Sequence, residues 1–211
     1  NLYSGMRQML FVLPVMVVLA VTGLFQFAKL GISKKVKIPA VALFFLLMIL
    51  PFQHQAKTFP ADYIYFNAIS GGNKAAWSNY EYDYYFHGMK EATDYLIAEI
   101  GDKEAIVAMN CQLPNYFEKL ANIDFQYTRY LERSSVDWDY ALFGVNYIHP
   151  YLLKSDTWQS SRIVKTFYHK GNPLVVLLER QSKDDFKGID LLKHRHWDEA
   201  EVLLKKELET D

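Results

Sequence analysis

The sequence predicts a membrane helical hairpin of two transmembrane helices, followed by an exported α/β three-layer domain with a mixed sheet and a C-terminal amphipathic helix. Two observations support this fold class. Residues 1–59 hold two long apolar runs and no Asp or Glu, so all 24 acidic residues lie in residues 60–211. In that second part, helix and strand patterns alternate along the chain, which is typical of α/β domains.

The two apolar runs extend over residues 9–27 and 38–52. A bilayer core of about 30 Å requires about 20 apolar residues in a helix, with a range of about 17 to 25. The first run meets this length and the second comes close to it. We therefore predict a transmembrane hairpin over residues 1–59, with a connecting loop at residues 29–37.

The predicted loop contains Lys29, Lys34, Lys35 and Lys37 and no acidic residue. Short loops rich in Lys and Arg stay on the cytoplasmic side of a membrane. We therefore expect the loop to be cytoplasmic and both the N-terminus and the second domain to lie on the opposite face. This is the topology expected for a bacterial inner membrane protein with a periplasmic or extracellular domain.

The charge balance excludes one class of partner. Residues 1–59 hold six of the 23 Lys and Arg residues, so residues 60–211 carry 17 positive and 24 negative charges, a net charge of −7. An acidic domain lacks the basic surface that nucleic acids require, so we expect no nucleic-acid partner. The single Cys111 precludes an internal disulfide.

Element signals follow one another through the exported domain, predicted for residues 60–181. Apolar spacing predicts a helix from Gly88 to a stop at Gly101. The next elements predicted are a strand at 105–109, a helix at 115–122, and strands at 123–130 and 140–145. A β-hairpin over residues 163–180, turning at Lys170-Gly171-Asn172, completes the domain.

The C-terminal segment, residues 182–211, is predicted to be helical from Asp184 and resembles the second helix of a tetratricopeptide repeat. The apolar face of this helix consists of Trp197, Ala200, Leu203, Leu204 and Leu208. One repeat helix cannot bury its own face. It therefore packs on the α/β domain, begins a repeat array, or is an amphipathic terminal helix, and we favour the last interpretation.

Residues 61–88 hold nine aromatic residues among 28. Tyr and Trp beside a membrane span often form an interfacial belt, and we favour this or a core role on chemistry alone. Aromatic rings beside Asn, Glu and Asp also form stacking platforms for sugar rings. Gly71-Gly72 lets backbone N–H groups approach an anion or a phosphate closely.

Other patterns are too weak to predict a metal or catalytic site. Asp137-Trp138-Asp139 is a D-x-D sequence, but no nucleotide-binding fingerprint accompanies it. His194 and His196 are two residues apart, and side chains at this spacing point away from each other on a helix. The sequence contains no G-x-S-x-G, P-loop or C-x-x-C motif, so no cofactor is indicated.

Three segments taken together resemble bacterial protein-mannosyltransferase-like glycosyltransferases, which are polytopic GT-C enzymes. LYSGMRQMLFVLPVM is similar to the family's Y-x-G-x-R-H-x-x-F-x-x-P, YIYFNAISGG to its Y-x-Y-F-N-x-x-x-G-G, and YEYDYYFHGMKEA to its Y-E-x-D-Y-W-G-x-x-x-K-E-A. WDYAL and the predicted hairpin also fit the family's exported C-terminal domain. The chain departs from the pattern at Gln8 and Phe86, where the family has His and Trp.

The resemblance implies sugar transfer from a polyprenyl-phosphate donor to a glycan or protein acceptor on the exported face. Family catalysis depends on an acidic residue in the first exported loop, whereas no acidic residue precedes Asp62. We therefore expect this chain to be the non-catalytic C-terminal portion of a longer protein and to be inactive alone. The catalytic residue, with any divalent metal, is expected upstream.

The resemblance also implies a set of substrate-binding residues. Arg7 is expected to contact the donor phosphate, and Tyr65, Asn67, Gly71 and Gly72 to shape the acceptor side. Glu81 and Asp83, from the matched YEYD sequence, complete the set. Two alternatives remain open, namely a membrane-anchored glycan- or peptide-binding module and an assembly protein that uses the repeat-like terminal helix.

Cysteine labelling tests the predicted topology. In a Cys111→Ser background, Gly31→Cys is expected to resist a membrane-impermeant maleimide in intact cells, whereas Glu199→Cys is expected to react. Both cysteines should react after permeabilisation. Labelling of residue 31 in intact cells contradicts the topology, and replacing the four loop lysines by Ser is expected to randomise the orientation.

Overall fold

The computed structural model describes residues 11–58, 64, 66, 71–80, 82–111, 117, 120–155, 158–159 and 162–210. The chain divides into two compact units, residues 1–65 and residues 66–211. The first unit contains helices α1 (Val12–Lys29) and α2 (Lys34–Thr58). The second unit contains a mixed five-stranded sheet with helices.

Both helices of the first unit are long and apolar enough to span a membrane, α2 over Lys34–Gln53. None of the residues of α1 is buried. A helix that is apolar around its circumference is stable either inside a large core or in a bilayer. The prediction of two apolar helices at the N-terminus is therefore confirmed, although residues 9 and 10 of the first predicted run lie outside the described residues.

The connection between α1 and α2 is shorter than the predicted loop at residues 29–37. Helix α2 begins at Lys34, so Lys34, Lys35 and Lys37 lie in the first turn of that helix and only residues 30–33 form the connection. Lys37 Nζ reaches back to donate a hydrogen bond to the carbonyl oxygen of Ala28, at 2.8 Å. Positive charge at a helix N-terminus opposes the helix dipole by about 0.3–1 kcal/mol per group. These lysines therefore do not stabilise the helix that carries them.

The sheet of the second unit has the strand order β2-β1-β3-β5-β4. Its strands are β1 (Ala105–Met109), β2 (Ile123–Tyr127), β3 (Tyr140–Gly144), β4 (Ile163–His169) and β5 (Asn172–Glu179). Strand β1 is parallel to β2 and β3, whereas β5 is antiparallel to β3 and β4. The predicted mixed sheet is confirmed.

Strand β3 ends at Gly144 instead of residue 145, and two further strand boundaries differ from the sequence prediction. Strand β2 ends at Tyr127 instead of residue 130, because Tyr130 begins a short 3-10 helix and its buried hydroxyl donates to the carbonyl of Trp158. The β4–β5 turn consists of Lys170 and Gly171 alone, with φ of 49° and 81°. Two successive positive φ values are the geometry of a tight two-residue hairpin. The helix predicted at 115–122 lies largely outside the described residues.

Helix α4 (His87–Ile100) covers one face of the sheet and confirms the predicted helix, which begins one residue earlier than expected. Its buried face consists of Gly88, Met89, Ala92, Thr93, Leu96 and Ile100. Gly88 permits close packing on β5, since a Cβ at this position would lie 3.0 Å from the Cβ of Leu174. Gly101 ends the helix with a φ of 59°.

On the sheet face away from α4, alternate strand residues form a hydrophobic cluster, whereas the other residues of these strands pack against α4. Ala108, Ala141, Phe143, Val176 and Leu178 of the sheet pack with Trp138, Tyr130, Leu153 and Trp158. Leu153 belongs to the short helix α5 (Pro150–Lys154), and Trp77 follows the short helix α3 (Gly72–Ala76). Because the side chains of a strand alternate between faces, one sheet supplies both sets of residues.

The C-terminal segment is a pair of helices rather than the predicted continuous helix. Helices α6 (Asp184–Lys193) and α7 (Trp197–Thr210) are separated by a turn in which Arg195 has a φ of 66°. Gly188 of α6 provides the space for Leu204 of α7, whose Cγ lies 2.8 Å from the position a Cβ would take. The turn also places His194 and His196 outside both helices.

Part of the predicted apolar face of the terminal helix is exposed. Ala200 is buried and Leu203 and Leu204 are half-buried, but Trp197 is 61% exposed and Leu208 is 82% exposed. The reason is that α7 contacts α6 along the stripe through Ala200 and Leu204.

A buried ionic network, formed by Arg162, Arg180, Asp185 and Glu207, attaches this helix pair to the sheet. Asp185 Oδ2 accepts hydrogen bonds from Arg180 Nη2 at 2.9 Å and from Arg162 Nη1 at 3.2 Å. Arg162 also pairs with Glu207, which accepts a hydrogen bond from Ser182 Oγ at 2.7 Å. The two buried cations are thus balanced by two buried anions, which limits the desolvation penalty.

Burial and pairing act in opposite directions on these groups. Burial lowers the pKa of Arg180, while the charge of Asp185 opposes this change. Burial alone would raise the pKa of Asp185, but the charge and hydrogen bonds of Arg180 outweigh it, so this pKa lies below its ordinary value of 3.8. The ionised form of Asp185 therefore stabilises the folded state.

We expect Asp185→Asn to lower the free energy of unfolding of the second unit at pH 7 by about 3–5 kcal/mol, because it leaves two buried guanidinium groups with only one buried carboxylate, that of Glu207. A carboxyl group whose pKa is lower in the folded state than in the unfolded state stabilises the fold at pH values above its unfolded pKa. This contribution is lost as the pH falls through the folded-state pKa. The difference between the variant and the wild type should therefore shrink below a pH of about 4.

Urea unfolding of the full chain in detergent, followed by tryptophan fluorescence, measures this effect, since all four tryptophans lie in the second unit. Asp94→Asn is the matched control, because Asp94 forms an exposed pair with Lys90. A loss in Asp185→Asn no larger than in the control contradicts the assigned role of the network.

Candidate functional site

The carboxyl ends of β1, β2 and β3 meet at one edge of the sheet, here called the carboxyl edge. Because β5 runs antiparallel to β3, Asn172 at the start of β5 lies at the same edge. Helix α4 ends just before β1 begins, so the N-terminus of α4 lies at this edge too. Ligands of open α/β sheets bind outside the carboxyl ends of the strands. The carboxyl edge is therefore the candidate ligand-binding region of the second unit.

Asn110 holds the ends of β1 and β3 together at this edge. Its Nδ2 donates to the carbonyl of Gly144 at 2.9 Å, and its Oδ1 accepts from the N–H of Gly144 at 2.8 Å. Asn110 is buried, so both hydrogen bonds are shielded from water. The side chain thus continues the β1–β3 pairing beyond the last residue of the ladder.

Asp83, one of the predicted substrate-binding residues, lies at the N-terminus of α4. Its Oδ1 accepts a hydrogen bond from the N–H of His87 at 2.9 Å, and its Oδ2 contacts the N–H of Gly88 at 3.5 Å. The first N–H groups of a helix have no partner within the helix, and a carboxylate there also favours the helix dipole. Buried Asp83 therefore has a clear structural role in holding α4.

Gly71 and Gly72, also predicted site residues, open the short helix α3 at the same edge. Both have positive φ, 90° and 65°. A Cβ at Gly71 would lie 2.5 Å from the Cβ of Ala75, so the position requires glycine sterically as well as conformationally. At Gly72 a Cβ would meet no atom within 4 Å.

Asn73 and Asn172 link this turn to Tyr82, the neighbour of Asp83. Asn172 Nδ2 donates to the carbonyl of Asn73 and to the hydroxyl of Tyr82, each at 3.0 Å. Burial raises the pKa of Tyr82, so its hydroxyl stays protonated. These hydrogen bonds therefore join Asn73, which follows Gly72, to Tyr82, which precedes Asp83.

Two aromatic stacks adjoin these residues. Phe66 lies between Tyr80 and Tyr82, with ring centroids 5.9 Å and 6.0 Å away. Phe86 and Tyr147 form the second stack, with centroids 4.8 Å apart and planes 9° apart. Asn146 connects the stacks, because its Oδ1 accepts from the N–H of Tyr82 at 3.0 Å. Tyr80, Tyr84, Tyr85 and Tyr147 remain exposed.

The other predicted site residues, Arg7, Tyr65, Asn67 and Glu81, lie outside the described residues. Sequence reasoning in turn missed the four asparagines at positions 73, 110, 146 and 172, and Tyr147. A usable signal existed for Asn110 and Asn146, which directly follow the predicted strands at 105–109 and 140–145.

The D-x-D sequence has structural partners. Asp139 Oδ2 accepts from the N–H of Ile106 at 2.8 Å, and Lys183 pairs with both carboxylates, at 2.7 Å for Asp137 and 3.1 Å for Asp139. The hydrogen bond to Asp137 raises the pKa of Lys183. Within the described ranges, no group of three or more His, Cys, Asp or Glu side chains could hold a metal ion.

Cys111 lies at the carboxyl edge but is buried. Burial raises the pKa of its thiol to about 12, so the thiolate that nucleophilic chemistry needs is not formed near neutral pH.

Substitution of Asp83 tests its role at the start of α4. We expect Asp83→Ala to lower the free energy of unfolding by about 1–2 kcal/mol, and Asp83→Asn to retain most of the stability, because the Asn amide oxygen can still accept the His87 N–H. Urea unfolding followed by tryptophan fluorescence measures both variants. Equal stability of Asp83→Ala and the wild type contradicts the capping role.

Comparisons with protein-family models, with curated proteins and with solved structures find no match to the chain.

Proposed function

We propose that the chain is the non-catalytic C-terminal portion of an integral-membrane glycosyltransferase that moves a sugar from a polyprenyl-phosphate donor to an acceptor. In this proposal the carboxyl edge binds a saccharide of the donor or the acceptor. The observation that carries it is the combination of exposed Tyr80, Tyr84, Tyr85 and Tyr147 with amide side chains in one cluster.

The chemistry of a sugar ring matches this combination. The ring has faces of C–H groups that pack on aromatic rings, and hydroxyl groups that require hydrogen-bond donors and acceptors. Tyrosines offer a flat apolar ring with a polar end, and an asparagine offers two donors and two acceptor lone pairs. Residues 63–92, the strongest part of the resemblance to the glycosyltransferase family, supply most of these rings.

In the same proposal, α1 and α2 span the bacterial inner membrane with residues 30–33 in the cytoplasm, and the second unit is exported. Lys34, Lys35 and Lys37 lie where their charges oppose the dipole of α2, so they are not there to stabilise that helix. Positive charges retained there despite this cost are expected where a membrane helix begins on the cytoplasmic side, which supports this topology. The catalytic acid and any divalent metal belong to an upstream part of the protein.

Two alternatives are tested along with the proposal. A membrane-anchored glycan- or peptide-binding module would use the same edge without any transferase activity upstream. An assembly function is favoured by the exposure of Trp197 and Leu208 on α7.

The binding test uses the full chain in lipid nanodiscs, labelled with 3-fluorotyrosine for ¹⁹F NMR. The ligands are polyprenyl-phosphate hexoses, free hexose oligosaccharides and polyprenyl phosphate without sugar. We expect the resonances of Tyr80, Tyr84 and Tyr85 to shift with sugar-bearing ligands, and replacing all three by Ala to abolish binding. Trp197→Ala, which removes an exposed aromatic side chain from α7, is the matched control.

Shifts that are equally large with polyprenyl phosphate alone would show that the tyrosines contact lipid rather than sugar. No shift with any sugar ligand, for a chain with a folded spectrum, refutes the binding proposal. Loss of a co-purifying protein partner in Trp197→Ala, without any sugar response, favours the assembly function instead.

A further inference from the structure

We propose that Phe86, Tyr147 and Asn146 form the subsite that holds one pyranose ring of the saccharide. This inference rests on the proposed carbohydrate-binding function and identifies the residues that would provide the central contact. Asn146 and Tyr147 belong to none of the motifs that resemble the glycosyltransferase family, so the inference depends on the geometry of the fold.

Phe86 is held in a strained backbone conformation. Its φ of 53° and ψ of 44° are left-handed, a region that a bulky residue without a special reason avoids. Strain of this kind persists only where surrounding contacts enforce it, and it concentrates at functional sites. The contacts here are hydrogen bonds on both sides of the residue, from Phe86 N to the Asp83 carbonyl at 3.3 Å and from Met89 N to the Phe86 carbonyl at 2.9 Å.

The strained backbone directs the ring of Phe86 onto the end of β3. Two ring carbons lie 3.1 Å from the position that a Cβ of Gly144 would occupy, so a side chain at residue 144 would require the ring to move by a few tenths of an ångström. Asn110 holds Gly144 in place through both of its backbone groups. The ring of Phe86 therefore rests on a rigid part of the sheet.

Tyr147 extends this support toward solvent. Its ring is nearly parallel to that of Phe86, yet 49% of the residue remains exposed. An aromatic ring fixed from behind by a second ring loses little conformational entropy when a ligand packs on it. The pair thus provides a preorganised apolar surface of the size of one sugar ring.

Asn146 supplies the polar part of the subsite. Its Oδ1 is occupied by the N–H of Tyr82, which orients the amide plane. No described residue accepts a hydrogen bond from its Nδ2, and the side chain is only half-buried. An NH₂ group in this position, next to Tyr147 in sequence, can donate to a ring hydroxyl of the stacked sugar.

Calorimetric titration of the full chain in nanodiscs with the sugar ligands tests the subsite. We expect Tyr147→Ala to weaken binding at least about tenfold, and Tyr147→Phe to remain within about threefold of the wild type, because the stacking ring is preserved. Asn146→Asp keeps the acceptor for Tyr82 and loses the NH₂ donor, so it should weaken binding while the unfolding midpoint stays near that of the wild type. Trp197→Ala should bind as the wild type does.

The outcomes separate the two proposals. If the wild type binds sugar and the triple Tyr80, Tyr84 and Tyr85 variant does not, but Tyr147→Ala and Asn146→Asp bind normally, the subsite is wrong and the proposed function stands. If the folded wild type binds no sugar, both are wrong. Weakened binding in Tyr147→Ala and Asn146→Asp, with Tyr147→Phe and Trp197→Ala unaffected, supports the subsite.

Discussion

The second unit depends on two buried guanidinium groups, Arg162 and Arg180, placed just before β4 and just after β5. Arg180 donates to the carbonyls of Arg133, Val136 and Trp138, and its guanidinium lies 4.2 Å from the ring centroid of Trp138. Both arginines meet the carboxylate of Asp185 on α6. One ionic centre thus joins the sheet, the 3-10 segment and the terminal helix pair. Because a buried charge without a partner is very unfavourable, loss of any one of these groups is expected to destabilise the contacts between these parts.

The opposite end of the sheet is organised differently. At the carboxyl edge, hydrogen bonds from neutral amide side chains hold the elements together: Asn110 links β1 to β3, and Asn172 links β5 to the turn at Asn73. These neutral amides suit an uncharged ligand with many hydroxyl groups, and the buried carboxylate of Asp83 at the same edge disfavours a phosphate there. The exposed tyrosines and the strained Phe86 lie here. Rigid support beneath exposed rings is the arrangement that favours binding with little loss of entropy.

Sequence patterns predicted those elements whose signal is local. The apolar stripe from Met89 to Ile100 and the turn at Lys170-Gly171 depend on the spacing and conformational preferences of neighbouring residues. The stripe was correctly placed, and the turn was found at the predicted position but one residue shorter, because Asn172 begins β5. The end of β2 was misplaced because Tyr130 enters the core through a contact with Trp158, 28 residues away. The break at Arg195 was missed because the helical pattern continues through it, whereas the packing of Leu204 on Gly188 requires the chain to turn back.

The sequence by itself determined the two apolar helices, the lysine cluster between them, the acidic α/β unit and the aromatic character of residues 61–88, because composition and short-range periodicity suffice for each. Only the tertiary structure decided the strand order, and with it which residues share the carboxyl edge. Asn73, Asn110, Asn146 and Asn172 are spread over about half of the chain, and only the parallel pairing of β1 with β3 and the antiparallel return of β5 bring them together. Strand pairing is a long-range contact that no local pattern records, so the candidate site became visible only in the fold.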